Sequence, residues 1–285
     1  MILLAGGTGH LGGPLAQLFA ENHMRIRLLS RNPLWATVPP GVEIVVGDVR
    51  VRSSLSAALA GVETVVSAVT GFGPGGSGPR AVDLEGNLNL IDASVTSGVR
   101  HFILISIHGA QANHPMELYR AKFAAEQRLM ASGLQWTIVR PTVFLELWTE
   151  ILGSPLLKTG TATVFGRGDN PVNFVSVQAV ARAVERAVVD PGLRGRTIEV
   201  GGEENLTVND LIGRIAKSHG RQAKARHIPL AVLGLAAAVL RPVRPDFAGL
   251  LQGAVLMDTT DMSFDAAVER DEMARHALVA DVAPS

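Results

Sequence analysis

The segment Leu4-Ala5-Gly6-Gly7-Thr8-Gly9-His10-Leu11-Gly12 constrains this chain more than any other. It follows an apolar run, Met1–Ala5, and opens a helical stretch, Leu11–Glu21, so Gly6, Gly9 and Gly12 fall as G-x-x-G-x-x-G where a strand turns into a helix. Glycine is needed there for a sharp turn, for backbone amides to approach a pyrophosphate, and for close packing of helix on strand. The helix N-terminus supplies unpaired N–H groups and the positive end of the helix dipole. Pro14 fits the first helical turn, where its missing N–H costs little. Gly6, Thr8, Gly9, His10, Leu11 and Gly12 are therefore candidate phosphate-binding residues, the alternative being a glycine-rich turn with no ligand.

The next residues repeat the same unit. Arg25–Ser30, Val42–Val46, Thr64–Ala68, His101–Ser106 and Trp136–Arg140 are nearly continuous in apolar character, as strands covered on both faces of a parallel sheet are. Helical stretches lie between them at Ser53–Ala60, Ala81–Ser97 and Met116–Ser132, with Gly61, Gly98 and Gly133 just past their ends. Strand-helix alternation with short links predicts right-handed βαβ units and a doubly wound sheet. From about Gly153 the pattern loosens. Strands are expected at Thr163–Phe165, Asn173–Val177 and Thr197–Val200, and helices at Gln178–Val189, Val208–His219, Leu230–Leu240 and Asp246–Met257. The predicted fold class is α/β: a parallel sheet domain over residues 1–150 and a smaller α/β substrate region over 151–285. Gly71–Pro79 has five glycines in nine residues, so it is a loop, either a lid at the ligand edge or a plain surface linker.

Composition narrows the function classes. Lys plus Arg number 26 and Asp plus Glu 26, for a net charge of +0, which argues against nucleic acid or an anionic membrane as the main partner. With no Cys there is no thiolate nucleophile, disulfide or zinc-thiolate site. The eight His lack metal-ligand spacing, and neither a G-x-S-x-G elbow nor a G-x-x-x-x-G-K-[ST] loop is present, so no metal is expected. The N-terminus does not read as a signal peptide, and Ile228–Leu240 has 13 residues where a span needs about 18. These features predict a cytoplasmic protein acting on a small molecule; an oligomer is allowed, but nothing in the sequence supports one.

Three further features follow in the order a dinucleotide site requires. Arg31, after the second strand, stands where an acidic residue would select NAD, and its guanidinium can pair with a 2′-phosphate, so NADP(H) is favoured over NAD(H). Asp48, followed by Val49, can accept from the adenine amino group. Ala68, Val69 and Thr70, after the fourth strand, bring small side chains and backbone to the adenosine half.

With these residues the chain resembles the atypical branch of the short-chain dehydrogenase/reductases, specifically the NmrA-like NAD(P)-binding group. The resemblance also covers Ser30-Arg31-Asn32-Pro33, Asp83 to Gly98, Val99-Arg100-His101-Phe102-Ile103, Lys122 with Glu126, and Thr137-Ile138-Val139-Arg140-Pro141. Met257–Met262 has the look of the group as well. It implies a Rossmann-type domain carrying NADP(H) and a small C-terminal substrate region. It further implies a Lys holding the nicotinamide ribose, a Tyr proton donor four residues earlier, and a Ser or Thr polarising the substrate carbonyl.

Lys122 fits the Lys position, but Leu118 occupies the Tyr position. Tyr119 either reaches the site from three residues away or is an ordinary half-buried aromatic. The hydroxyl position is Ser106 or, two residues on and on the same side, His108 as a candidate acid. Where the superfamily can carry an active-site Asn, this chain offers Asp83. Pro141, Val143 and Phe144 would form the wall beside the nicotinamide. Phe144, Leu147 and Trp148, with Phe72, would line an apolar pocket or belong to the cap core. A tetrad without its Tyr predicts hydride transfer from NADPH to a small apolar aromatic acceptor (quinone, azo, imine or ketone type). The alternatives are a non-catalytic NADP(H) sensor and an epimerase, cyclase or dehydratase on the same fold.

Overall fold

The computed structural model describes residues 1–32, 38–73, 75–233 and 245–265, with side chains throughout except at 245–250. Its centre is a seven-stranded parallel sheet of β1 (Ile2–Ala5), β2 (Ile26–Ser30), β3 (Glu43–Val46), β4 (Thr64–Ser67), β5 (His101–Ile105), β6 (Gln135–Pro141) and β10 (Arg196–Val200). The spatial order is β10-β6-β5-β4-β1-β2-β3. All neighbouring pairs are parallel.

Side chains alternate across this sheet, so each strand feeds two cores. Leu4, Leu28, Val66, Ile103 and Val139 pack with α1 (Gly12–Glu21) and α6 (Val177–Val189). Leu3, Val65, Phe102, Leu104 and Ile138 pack with α2 (Ser56–Leu59), α3 (Asn87–Thr96) and α4 (Glu117–Met130). Burial of each such side chain contributes roughly 1.5–3 kcal/mol. Arg27 locks the sheet edge to α2: its Nη1 donates to Ala58 and Ala60 carbonyls (2.8 and 2.7 Å) and its Nε stands 2.8 Å from Glu43.

Three elements depart from the expected pattern. The stretch expected as one helix over Ala81–Ser97 begins as a π-helical segment, Arg80–Gly86, before α3. A 15-residue helix, α5 (Leu145–Thr159), occupies a region whose Gly153 and Pro155 hide its periodicity. Arg196–Val200 pairs with β6 in the central sheet instead of belonging to a separate cap. The expected division at residue 150 therefore does not follow the sheet, because α6 and β10 return to it.

The remaining elements are β7 (Val143–Phe144), β8 (Ala162–Phe165), β9 (Val172–Val175), β11 (Asn205–Leu206), α7 (Val208–Ser218), β12 (Ala225–Ile228) and α8 (Pro245–Thr259). They form a three-stranded sheet, β11-β9-β7, and a parallel pair, β12-β8. Their core joins Leu152 and Leu156 of α5 to Ile212 and Ile215 of α7. Thr207 and Asp210 form a capping box at the start of α7. The helix expected over Leu230–Leu240 lies mostly outside the described residues, as does Pro33. No helix among the described residues is long and apolar enough to cross a membrane.

Candidate functional site

The order of the sheet reverses between β1 and β4, and ligands of open α/β sheets bind outside the strand ends at such a switch point. Gly6 leaves β1 there with φ +87°, and a Cβ on it would lie 2.5 Å from the Ala68 carbonyl oxygen beyond β4. A Cβ on Gly12 would lie 2.0 Å from the Gly6 oxygen. Thr8, Gly9 and His10 are exposed between these glycines, Leu11 is buried, and no side chain caps α1. The cradle is closed to side chains from below and open to a ligand above, so the residues present fit a dinucleotide pyrophosphate.

Arg31, expected on the adenosine side, is exposed at the end of β2. Asp48, expected to meet adenine, is engaged by Arg50, whose Nη2 lies 2.6 Å and Nε 3.0 Å from Oδ2. Hydrogen bonds from Arg50 hold the Asp48 carboxyl below the usual carboxylate range, with the Arg31 charge adding to the effect. Arg50 Nη1 also donates to Ser77 of the glycine-rich loop at 2.7 Å, a cross-link that the spacing of the residues does not reveal. Val49 is buried, and its Cγ2 would lie 2.8 Å from a Cβ on Gly86, so it seats the π-helical segment.

Lys122 is 5% exposed and turned inward. Its Nζ donates to the carbonyls of Val69 (3.0 Å) and Ile105 (2.9 Å) and stands 3.0 Å from Asp83 Oδ1, a contact held by charge without hydrogen-bond alignment. An ammonium has three N–H groups, and two of them here are taken by backbone carbonyls. Lys122, expected to hold the ribose, here bonds the ends of β4 and β5. Asp83 is fully buried and accepts from the Gly71 amide at 2.8 Å, anchoring the glycine-rich loop as well. One turn on, Asn87 accepts from Ser67 Oγ at 2.6 Å and donates to the Asp83 carbonyl at 2.8 Å.

Tyr119 is buried and its ring stacks on His114 at 3.8 Å. Burial pushes its phenol up to about 12, and the lysine that would lower it is committed elsewhere. It is a poor proton donor. Together with Met116, Leu118 and Leu256 it forms a small apolar cluster against which Phe72 and Ile107 pack.

Ser106 is also buried, and its hydroxyl donates inward to Glu126, away from the crevice. Glu126 is fully buried and receives Arg140 through Nε (2.9 Å) and Nη2 (2.6 Å). Arg140 Nη1 reaches Glu199 Oε1 at 3.1 Å, and Glu199 Oε2 lies 2.8 Å from His108 Nδ1. Hydrogen bonding to Glu126 is the main cause holding the Arg140 guanidinium charged. An acid on a buried helix face and an arginine in a buried strand were the available signal for this pairing. Nothing in the spacing marks Glu199.

The four residues expected to line one pocket are separated. Phe144 packs against the sheet core, Trp148 against the α5–α7 core, and Phe72 against Tyr119's cluster; Leu147 is half-buried on α5. Pro141 is buried and its carbonyl accepts from the His108 amide at 2.9 Å, while Val143 and Phe144 are half-buried. Thr70 is exposed, and its Oγ1 accepts from the Phe72 amide. The Met257–Met262 motif acquires a mechanism: Asp258 accepts the amides of Arg167 and Gly168 (2.9 and 2.8 Å), and Met262 bridges Val172, so α8 is fastened to the β8–β9 turn.

The family model of NAD(P)H-binding proteins matches residues 6–191, well over half of the chain. The chain belongs to this NAD(P)H-binding family. The match starts at Gly6 of the cradle and runs past α6, in keeping with the resemblance to NmrA-like proteins. The chain is 27% identical over 226 residues to the NAD(P)H azoreductase of Xenophilus azovorans, covering 79% of this chain and 76% of that one. It is 26% identical over 236 residues to the photosystem II assembly factor Ycf39 of Trieres chinensis, covering 82% and 74%. In structure it is similar to the NADPH-dependent quinone oxidoreductase QOR2 of Escherichia coli complexed with NADPH. There the TM-score is 0.76 and the identity 23%, over 96% of this chain and 95% of that one.

Proposed function

We propose that this protein is an oxidoreductase that uses NADPH in preference to NADH and passes hydride to a small apolar, aromatic acceptor of quinone, azo or imine type. When bound, the cofactor supplies the hydride. The chain's own residues do the rest. The cradle between Gly6 and Gly12 seats the pyrophosphate, Arg31 pairs with the 2′-phosphate, and Lys122 with Asp83 holds the ends of β4, β5 and the glycine-rich loop in place. Pro141, Val143 and Phe144 wall the nicotinamide side. Phe72 and Ile107, half-buried on the cluster of Met116, Tyr119 and Leu256, offer the acceptor an apolar surface.

The observation that carries the acceptor class is the state of Tyr119. Reducing a ketone needs a strong proton donor at oxygen as hydride arrives, and the chain's single Tyr is buried, pushed up to about 12 and without a lysine beside its hydroxyl. Acceptors that become stabilised anions can take their proton after the hydride arrives, from a group other than this tyrosine. The similarity to azoreductase and quinone oxidoreductase agrees with this choice. A second reading, an NADP(H)-responsive protein without turnover, is favoured by the similarity to an assembly factor and by the inward position of Lys122.

The purified protein, given NADPH and a panel of quinones, aromatic azo dyes and ketones, is expected to oxidise NADPH with the first two groups. Tight NADPH binding with no turnover would establish the second reading instead. In Arg31→Asp the NADPH dissociation constant should rise roughly 10- to 100-fold, the worth of a charge-assisted pair, with NADH little changed. Equal effects on both cofactors would show that Arg31 does not read the 2′-phosphate.

A further inference from the structure

The side chains running from Ser106 to His108 form one continuous charge chain across β5, α4, β6 and β10. Its links are Ser106–Glu126, Glu126–Arg140, Arg140–Glu199 and Glu199–His108. Two carboxyl groups face one guanidinium, and the imidazole of His108 closes the chain at its far end. Side-chain exposure is 1% at Glu126, 22% at Arg140, 18% at Glu199 and 39% at His108. The buried end is thus rigid and the His108 end opens to the crevice.

His108 is held from three directions. Its amide donates to the Pro141 carbonyl, its Nδ1 is fixed by Glu199, and the Phe264 ring stands edge-on to the imidazole at 5.4 Å and 85°. Phe264 is itself seated by Gly201, where a Cβ would come within 2.2 Å of its ring, and by its backbone amide, which donates to Asn205 Oδ1 at 3.0 Å. Nε2 of His108 has no hydrogen-bond partner among the described residues. A carboxylate on one imidazole nitrogen sets which nitrogen keeps its proton and leaves the other to do chemistry.

We infer that Glu199, backed by the Arg140–Glu126 pair, is the positioning residue that aims His108 Nε2 at the acceptor, and that His108 is the proton donor of the reduction. The inference rests on the reductase reading above. The acceptor gains a hydride from the reduced nicotinamide as its double bond opens, and the electron pair left on oxygen or nitrogen takes the proton from His108 Nε2. His108 ends neutral, with Nδ1–H still on Glu199, and regains its proton from solvent at its exposed edge. The acceptor gains two electrons and two hydrogens, of which one comes from the cofactor and one from solvent. Acid strength is sufficient for the acceptor class: an imidazolium, ordinarily near 6.5, readily protonates a phenolate, whose acid is ordinarily near 10.

The test uses the full chain with NADPH and two acceptors, a benzoquinone and an aromatic azo dye. Glu199→Gln and His108→Gln should each lower kcat roughly 10²-fold or more, with KM for NADPH unchanged. Glu199→Asp should recover part of the loss. Nitrogen-15 spectra of labelled histidine should show the neutral ring of His108 protonated at Nδ1 in the parent protein and redistributed in Glu199→Gln. Turnover unchanged in both Gln variants would overturn the assignment of His108 while leaving the reductase reading intact. A His108 spectrum unmoved by Glu199→Gln would overturn the role of Glu199. Cofactor binding without turnover of either acceptor would remove the reductase reading and the proton donor with it. If Glu199→Gln does not fold, Glu199→Asp carries the same kinetic and spectral comparison.

Discussion

Gly12→Ala and Gly13→Ala add the same methyl group to adjacent residues in the first turn of α1, and their effects should be opposite. At Gly12 the new carbon would stand 2.0 Å from the Gly6 carbonyl oxygen and 2.6 Å from Gly7 Cα, where ordinary contact begins at 3.4 Å. Both neighbours are backbone, so no side chain can swing aside. The cradle must open by roughly 1 Å, which costs about 1–3 kcal/mol of stability as overpacking. A displacement of that size in a positioned site costs on the order of 10²-fold, or about 2.7 kcal/mol, in function. At Gly13 nothing lies within 4 Å of the added carbon. The substitution there only removes glycine's entropic cost in a helix and should stabilise the fold by up to about 1 kcal/mol. The assay is NADPH titration by fluorescence together with thermal unfolding of both variants. Gly12→Ala should bind NADPH about 10²-fold more weakly and melt earlier, while Gly13→Ala binds normally and melts slightly later. Parent-like binding by Gly12→Ala would refute the claim that the pyrophosphate sits on this backbone.

Two further outcomes follow from the buried charges and polar groups. His101 is 2% exposed, its Nε2 is 3.0 Å from Thr137 Oγ1, and burial pushes it down from the usual 6.5 to about 4. Its contribution to stability is therefore complete above about pH 6.5 and is lost as pH falls toward 4, because the unfolded chain takes up the proton first. The loss is about 3 kcal/mol. Urea unfolding at both ends of that window should show His101→Gln losing correspondingly less stability than the parent, and equal losses would contradict this account. Arg140→Met leaves the fully buried Glu126 facing only Ser106, which should destabilise by about 3–5 kcal/mol in denaturant unfolding. A change below about 1 kcal/mol would mean that the charge chain is structurally idle.

The strands of the central sheet are legible because a strand covered on both faces must be apolar at every position, and that pattern is local. The cradle is legible for the same kind of reason, since only glycine tolerates a carbonyl at 2.0–2.5 Å and a φ of +87°. Helix α5 is not legible, because Gly153 and Pro155 interrupt its pattern while packing of Leu152 and Leu156 onto α7 restores it. The catalytic assignments drawn from family resemblance fared differently. Lys122 and Ser106 occupy the expected positions on α4 and after β5, yet both polar groups point into the protein, because Asp83 and Glu126 offer them charged partners there.

From its sequence alone this chain is determined to be an α/β protein with a parallel sheet and a glycine turn between strand and helix, since each of those features is encoded within a dozen residues by hydrophobic pattern and steric freedom. Which charges meet was decided only by tertiary structure. His108 and Glu199 lie 91 residues apart, Lys122 and Val69 lie 53 apart, and β10 joins the sheet from beyond residue 190. Polar pairing in a low-dielectric interior depends on ångström-scale distance, and no local pattern carries that distance until the sheet has assembled.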